Sequence, residues 1–403
     1  TAAYGLTHVG YATQAVFLDY DRDGDLDAYL LNHSTHTERA IGRGGHAGPR
    51  NPRADDRLLR NDPAPGGARR FVDVSAEAGL VANDGFGLGV VASDVNGDGC
   101  PDLYVANDFQ EDDLLYLNRC DGTFAEVLGR AAGHTSRFAM GVDAGDVDGD
   151  LRPDLFVADM LPEREAVRQT SASTETFTLF NLRLRAGYHP QYARNTLQLN
   201  RGVVRDSAGA VPRFSEIGQL AGVHASDWSW APLFADLDLD GRADLFVTNG
   251  IWRRPNDLDY INYVGNEAAQ AALARGDAAA RRAVLARMPQ VALPNHAFRN
   301  DGDLRFTDVA QAWGLGEPGF ANGAAYVDLD DDGALDLVVN RLNAPVAIYR
   351  SHARARTGHS ALGVRLAGAG ANTAGFGARV TVVAGGRRQL REQAPTRGFL
   401  SSV

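Results

Sequence analysis

Short apolar runs punctuated by aspartate-rich turns recur along the whole chain. Ala15-Val-Phe-Leu18 is followed across one such turn by Ala28-Tyr-Leu-Leu31, and Gly89-Val-Val-Ala92 by Leu103-Tyr-Val-Ala106; Leu337-Val-Val339 follows the last turn. Runs of this length, bounded by Gly and Asp and rich in β-branched and aromatic residues, predict strands, and each turn between them predicts a hairpin. After each of the first four hairpins comes a Leu/Asn strand, then an aromatic one. These are Leu58-Leu-Arg-Asn61 with Phe71-Val-Asp-Val74, Leu115-Tyr-Leu-Asn118 with Phe124-Ala-Glu-Val127, Leu197-Gln-Leu-Asn200 with Phe214-Ser-Glu-Ile217, and Phe298-Arg-Asn300 with Phe306-Thr-Asp-Val309. Four strands repeated in series predict an all-β chain, a β-propeller of four-stranded blades.

The turns share one spacing. Oxygen-bearing side chains fall at positions 1, 3, 5 and 9: Asp19, Asp21, Asp23 and Asp27; Asp94, Asn96, Asp98 and Asp102; Asp146, Asp148, Asp150 and Asp154; Asp236, Asp238, Asp240 and Asp244; Asp328, Asp330, Asp332 and Asp336. Position 7 varies (Asp25, Cys100, Arg152, Arg242, Ala334), as expected of a residue that offers only its backbone carbonyl. A hard cation such as Ca²⁺ takes six to eight oxygens from a flexible loop, and alternate side chains on a tight turn converge on one point. Asp and Gly favour turns without any metal; five loops with one spacing favour chelation, so about five Ca²⁺ are expected. Gly at position 6 permits the bend in four loops. Leu151 stands there in the third, which predicts a distorted loop that Gly149 relieves.

Spacing locates the extra length. The loops begin at Asp19, Asp94, Asp146, Asp236 and Asp328, and the aromatic strands follow with the same excess over the shortest blade. Three inserts are therefore expected between second and third strands, near residues 32–57, 159–194 and 250–295, on the face opposite the aspartate turns. Loops on a rigid scaffold carry recognition, which makes Tyr188, Tyr192, Trp252 and Tyr260 the candidate ligand-binding residues. Glu267–Met288 is Ala/Arg-rich and predicts a helix. Trp228 and Trp230 read as blade core.

Charge and rarer residues narrow the function. The 403 residues carry a net charge of −11, with Arg and no Lys. Residues 350–403 hold nine Arg against the single acid Glu392, so a basic tail follows an acidic body. An acidic body argues against nucleic acid as partner, and the lack of Lys excludes Schiff-base and P-loop chemistry. No window approaches the ~18 apolar residues of a membrane span. Cys100 and Cys120 lie in adjacent turns of one blade, which predicts a disulfide. His33 and His36 read as loop polar residues rather than a metal pair. No nucleophile-elbow, zincin or P-loop signature occurs, so no catalytic residue is identified and the chain is not expected to be an enzyme.

At this point the residues resemble a known family. The hairpins are similar to FG-GAP/VCBS repeats, the calcium-binding blades also found in integrin α-subunits. Arg194-Asn-Thr-Leu-Gln-Leu-Asn200 and Asp227-Trp-Ser-Trp-Ala-Pro232 resemble a bacterial branch of it. Gly375-Phe-Gly-Ala-Arg-Val-Thr-Val-Val-Ala-Gly-Gly386 and Pro395-Thr-Arg-Gly-Phe-Leu-Ser-Ser402 resemble the start of an ASPIC/UnbV domain, a combination typical of cartilage-acidic-protein-like proteins. The resemblance implies about seven blades and a longer C-terminal domain. The chain is thus expected to be a fragment, with blades over residues 1–352 and a partial small β domain over 353–403. It also implies secretion or placement in the periplasm or on the outer cell surface. Three roles are expected in order: adhesion or binding of an unknown glycan or protein, a propeller-scaffold glycan lyase or hydrolase, and a self-associating surface-layer or filament component.

Overall fold

The computed structural model describes residues 2–35, 51–80, 85–109, 111–172, 176–276, 278–368 and 370–401. Blade 1 is β1 (Ala12–Leu18), β2 (Asp27–Asn32), β3 (Arg57–Pro63) and β4 (Arg69–Asp73); blade 2 is β5 (Gly87–Ser93), β6 (Asp102–Asn107), β7 (Leu114–Asn118) and β8 (Phe124–Glu126). β9 (Thr135–Ser136) precedes blade 3, whose strands are β10 (Val142–Gly145), β11 (Asp154–Val157), β13 (Thr196–Asp206) and β14 (Gly209–Glu216); β12 (Gln191–Tyr192) pairs in parallel with β9. Blade 4 is β15 (Ser229–Ala235), β16 (Asp244–Asn249), β17 (His296–Gly302) and β18 (Arg305–Asp308). Blade 5 has three strands, β19 (Ala321–Val327), β20 (Asp336–Arg341) and β21 (Ala347–Tyr349), and a two-stranded hairpin follows, β22 (Arg379–Ala384) and β23 (Arg387–Glu392). This is the expected propeller of antiparallel blades, with five blades here, four of them four-stranded and the fifth three-stranded.

The first strands pack on one another in series, β1 on β5, β5 on β10, β10 on β15 and β15 on β19. They line the axis. The apolar core lies between neighbouring blades: Tyr20, Leu58 and Tyr116 join blades 1 and 2, Val91 and Leu155 join 2 and 3, Phe156 and Phe234 join 3 and 4, and Phe246 and Val339 join 4 and 5. Second strands are covered on both faces, and every residue of β6 and β16 is buried. Their sequences accordingly run apolar without alternation.

One Asn in the third strand of each of blades 2, 3 and 4 has a structural task. The Asn118 side chain donates to the Tyr20 carbonyl at 2.8 Å, Asn200 to Val95 at 2.8 Å and Asn300 to Val147 at 2.8 Å. Each bond runs from one blade to the aspartate turn of the blade before it. The amide thereby satisfies a buried carbonyl that no strand reaches.

All three inserts connect a second to a third strand, as expected. The second and third form the helices Glu165–Thr170, Phe177–Arg185, Leu258–Val264, Glu267–Ala274 and Ala278–Ala286. The expected single helix over Glu267–Met288 is two short ones. Residues 36–50 of the first insert, including His36, lie outside the described residues, as does Ser402 of the tail motif.

Candidate metal centres and the segment that covers them

Each aspartate turn closes the hairpin between the first and second strands of its blade. The position 1 carboxylate folds back over the turn and accepts the position 6 N–H, in Gly24→Asp19 at 3.2 Å, Gly99→Asp94 at 3.0 Å, Leu151→Asp146 at 3.0 Å, Gly241→Asp236 at 2.9 Å and Gly333→Asp328 at 2.9 Å. The position 9 carboxylate accepts two N–H groups. Asp244, for example, takes Leu237 N at 3.0 Å and Asn300 N at 2.8 Å.

The third loop is not distorted. Leu151 adopts φ +68°, matching Gly24, Gly99, Gly241 and Gly333, which lie between +86° and +90°. A left-handed non-glycine costs roughly 1–2 kcal/mol, and the loop's hydrogen bonds hold it there. Gly149 is not a special relief either, because position 4 is left-handed in every loop: Arg22, Gly97, Gly149, Leu239 and Asp331. Sequence reading missed this second bend, since three of its five residues are not glycine.

Four loops gather carboxylates into a set that fits a divalent cation. Asp19, Asp21 and Asp27; Asp146, Asp148 and Asp154; Asp236, Asp238 and Asp244; and Asp328, Asp330 and Asp332 each offer one oxygen, all within 4.8 Å of one another. Asp19 Oδ1 and Asp236 Oδ1 are buried without a hydrogen-bond partner. Such atoms are costly unless a cation or water meets them. Burial, and then the neighbouring carboxylates, push the acids up: Asp27 to about 7 and Asp244 to about 8, with Asp154 well above its ordinary value. Oxygen-only donors crowded in this way suit a hard ion. Asp23, Asp150 and Asp240 stand outside these sets; Arg152 pairs with Asp150 and Arg242 with Asp240. Asp25 pairs with Arg69, and Asp336 accepts from Leu329 and Ser351 N–H groups.

The second loop forms no such set among the described residues. Asn96 turns its amide to Asp98 at 2.8 Å, and the Arg379 guanidinium lies 2.8 Å from Asp94 Oδ2 while donating to the Leu151 carbonyl at 2.9 Å. The cysteines near Asp98 are joined to each other: Cys100–Cys120 is a disulfide with Cα atoms 5.8 Å apart, as expected.

Arg379 belongs to the basic tail, which crosses the aspartate turns of the blades. Arg350 pairs with Asp330 at 2.5 Å, Arg354 donates to the Asp332 carbonyl at 2.6 Å, and Ala371 and Asn372 N–H groups reach the Gly24 carbonyl at 3.1 and 2.9 Å. Arg387 donates to the Asp240 carbonyl. A pocket of about 410 Å³ remains between the third and fourth turns and this hairpin, lined by Asp146, Asp148, Gly241, Arg387 and Gln389. From the last residue of β23 onward the chain runs along the axis. Thr396 bonds to the Ala15 carbonyl of β1, Glu392 to Ser93 of β5, Gly398 to Val142 of β10 and Ser401 to Ala324 of β19, and the Phe399 ring lies 5.0 Å from Trp230 of β15. At its centre Arg397 meets Asp143 at 2.9 Å, both nearly inaccessible to solvent.

The candidate ligand-binding aromatics do not gather in one place. Tyr192 is 41% exposed and stacks on Phe180, whereas Trp252 packs edge-on against Phe320 of blade 5. Tyr188 and Tyr260 are half-buried on separate inserts. Trp230 holds the tail through Phe399, with its Nε1 donating to the Gly250 carbonyl at 2.9 Å. No helix among the described residues is long and apolar enough to cross a membrane.

Residues 67–157 match the family model of the FG-GAP-like repeat, and residues 368–403 match that of ASPIC and UnbV. No curated protein sequence matches the chain. Among solved structures, an Agrocybe aegerita lectin recognising non-reducing terminal N-acetylglucosamine aligns at 14% identity and TM-score 0.37, over 85% of this chain and 67% of that one. The Photorhabdus luminescens Tc holotoxin pore aligns at 12% identity and TM-score 0.30, over 96% of this chain and 15% of that one. The V. cholerae biofilm matrix protein Bap1 aligns at 15% identity and TM-score 0.26, over 60% and 35%. Internal repeats and blade architecture make the chain a β-propeller, in which residues 67–157 match the FG-GAP-like repeat and residues 368–403 match ASPIC and UnbV.

Proposed function

We propose that this propeller is a calcium-stabilised, extracellular binding module that presents its inserts to a glycan or protein partner. The observation that carries the calcium reading is the convergence of acidic oxygens in four turns, with buried acceptors on Asp19 and Asp236 left without donors. Asp19, Asp21 and Asp27, and their counterparts in blades 3, 4 and 5, would hold the ions. The role of the ion here is to neutralise the turns and fix their shape. A disulfide suits an oxidising compartment.

Calorimetric titration with Ca²⁺, paired with thermal melts in calcium and in excess chelator, tests the reading. Four sites are expected, and a melting temperature that falls on chelation, because an ion bound only to the native state stabilises it by about 2.7 kcal/mol per site at 100 times its dissociation constant. An unchanged melting temperature would reduce the loops to ordinary turns. A glycan-array screen with and without chelator then addresses the partner.

A further inference from the structure

The four turns that converge carboxylates into a set are the turns that the tail grips by the backbone, each at the carbonyl of position 5 or 6. Ala371 and Asn372 N–H groups donate to Gly24 at 3.1 and 2.9 Å, the Arg379 guanidinium to Leu151 at 2.9 Å, Arg387 to Asp240, and Arg354 to Asp332 at 2.6 Å. The second turn, which forms no such set among the described residues, is met differently: there Arg379 takes the Asp94 carboxylate at 2.8 Å. Positions 5 and 6 flank the bend of the turn. Position 6 is left-handed in all four, with φ +90° at Gly24, +68° at Leu151, +89° at Gly241 and +86° at Gly333. That shape is costly for a residue with a side chain, and the carbonyl expected to meet a cation belongs to the next residue, position 7.

Groups behind a metal's ligands orient them, and a contact that fixes the bend before the ion arrives removes part of the ordering that binding demands. We propose that the tail is a second layer of the four cation sites: Arg354, Arg379, Arg387 and the amides of Ala371 and Asn372 hold the turns in the shape that receives Ca²⁺, so that ion binding and tail docking strengthen each other. This inference rests on the calcium reading above. Coupling between two binding events is reciprocal, so what the tail adds to ion affinity the ion adds to tail docking. Charge by itself acts in the opposite sense, since a guanidinium beside a cation site repels the ion. The fifth turn carries both cases side by side. Arg350 pairs at 2.5 Å with the carboxylate of Asp330, a member of the set, and so competes with the ion. Arg354 reaches a backbone carbonyl of the same turn and leaves the carboxylates free to converge.

Hydrogen exchange of the whole chain, read by mass spectrometry in calcium and in excess chelator, tests the coupling from the side of the tail. The amides of Ala371 and Asn372 and those of β22 and β23 are expected to exchange roughly tenfold more slowly in calcium. The insert helix Glu267–Ala274 serves as reference, and equal slowing there would mean general stabilisation and overturn the proposal. Calorimetric titration with Ca²⁺ tests the coupling from the side of the ion. Arg354→Ala and Arg387→Ala, both at exposed side chains, should each weaken one of the four sites about fivefold without changing the stoichiometry. Arg350→Ala removes the same charge from the fifth turn and should tighten a site instead. If Arg354→Ala tightened binding as well, the tail would be no more than a repelling charge and the proposal would fall. A chain that binds no Ca²⁺ overturns the calcium reading and this inference together. A chain that binds Ca²⁺ with tail exchange and both affinities unaltered overturns the coupling alone.

Discussion

Each of the first four blades turns from its second to its third strand around one buried Asx side chain. Asn32 N donates to Asp56 at 2.7 Å, Asn107 N to Asp113 at 2.8 Å, Asp159 N to Asn195 at 2.7 Å and Asn249 N to Asn295 at 3.0 Å. In blade 2 the acid also accepts the Tyr104 hydroxyl at 2.6 Å, and burial pushes Asp113 from 3.8 up to about 8. A carboxyl whose folded value is raised contributes stability that is complete below pH 3.8 and lost as pH rises toward 8, by up to about 1.4 kcal/mol per pH unit. Asp113→Asn keeps the acceptor and removes the titration. Melts between pH 5 and 8.5 should therefore show a shallower decline for the variant, and parallel curves would place the acid's charge elsewhere. A second contrast separates the aspartate turns. Asp236→Ala should remove one Ca²⁺ from the titration stoichiometry, whereas Asp94→Ala, whose carboxylate faces Arg379, should leave the count unchanged. Equal losses would mean that the second turn also loads.

Among the elements, the inserts are tied to the blades unevenly. The helices Glu267–Ala274 and Ala278–Ala286 bury only Ala269 and Val284, while Arg254, just before them, is locked to Asp227 in a buried ion pair. Deleting residues 266–288 and bridging Gly265 to Pro289 with a short Gly/Ser linker should therefore leave the calcium-dependent rise in melting temperature nearly intact. Calorimetry in calcium and chelator checks it, and a chain that no longer folds would make those helices part of the core. The insert positions were legible because strand and turn signals are local and repeat, so excess spacing shows where length was added. The disulfide was legible for the same reason, since both cysteines sit in turns of one blade. Contacts between distant segments leave no periodic trace. Nothing around Arg379 announces that it reaches Asp94, and Arg22 and Leu239 give no hint of their left-handed backbone. The charge contrast between body and tail was visible, but without coordinates it had no address.

For the whole molecule, the question is whether blades and tail are one cooperative unit. Residues 392–401 touch the first strand of every blade, so the tail supplies part of the packing along the axis. Close approach there is built into small residues: a Cβ on Gly141 would fall 2.1 Å from the Trp230 carbonyl, and one on Gly398, at φ +67°, would fall 2.9 Å from that of Pro232. The bond between Arg397 and Asp143 is the deepest contact. Arg397 Nη1 also donates to the Ala144 carbonyl at 3.1 Å, and the second Asp143 oxygen accepts Phe234 N at 2.7 Å, so the pair links the tail to blades 3 and 4 at once. Removing one member of a buried pair strands the other charge, at a cost of roughly 3–5 kcal/mol. Arg397→Ala should therefore lower the denaturant midpoint of the entire propeller, followed by circular dichroism, in one transition with no separate early phase. If tail and blades were independent domains, the same change would melt only the tail and leave the propeller's midpoint where it was. A main transition unmoved by Arg397→Ala would sever the tail from the fold; a shift of the whole curve would make it a structural member of the ring of blades.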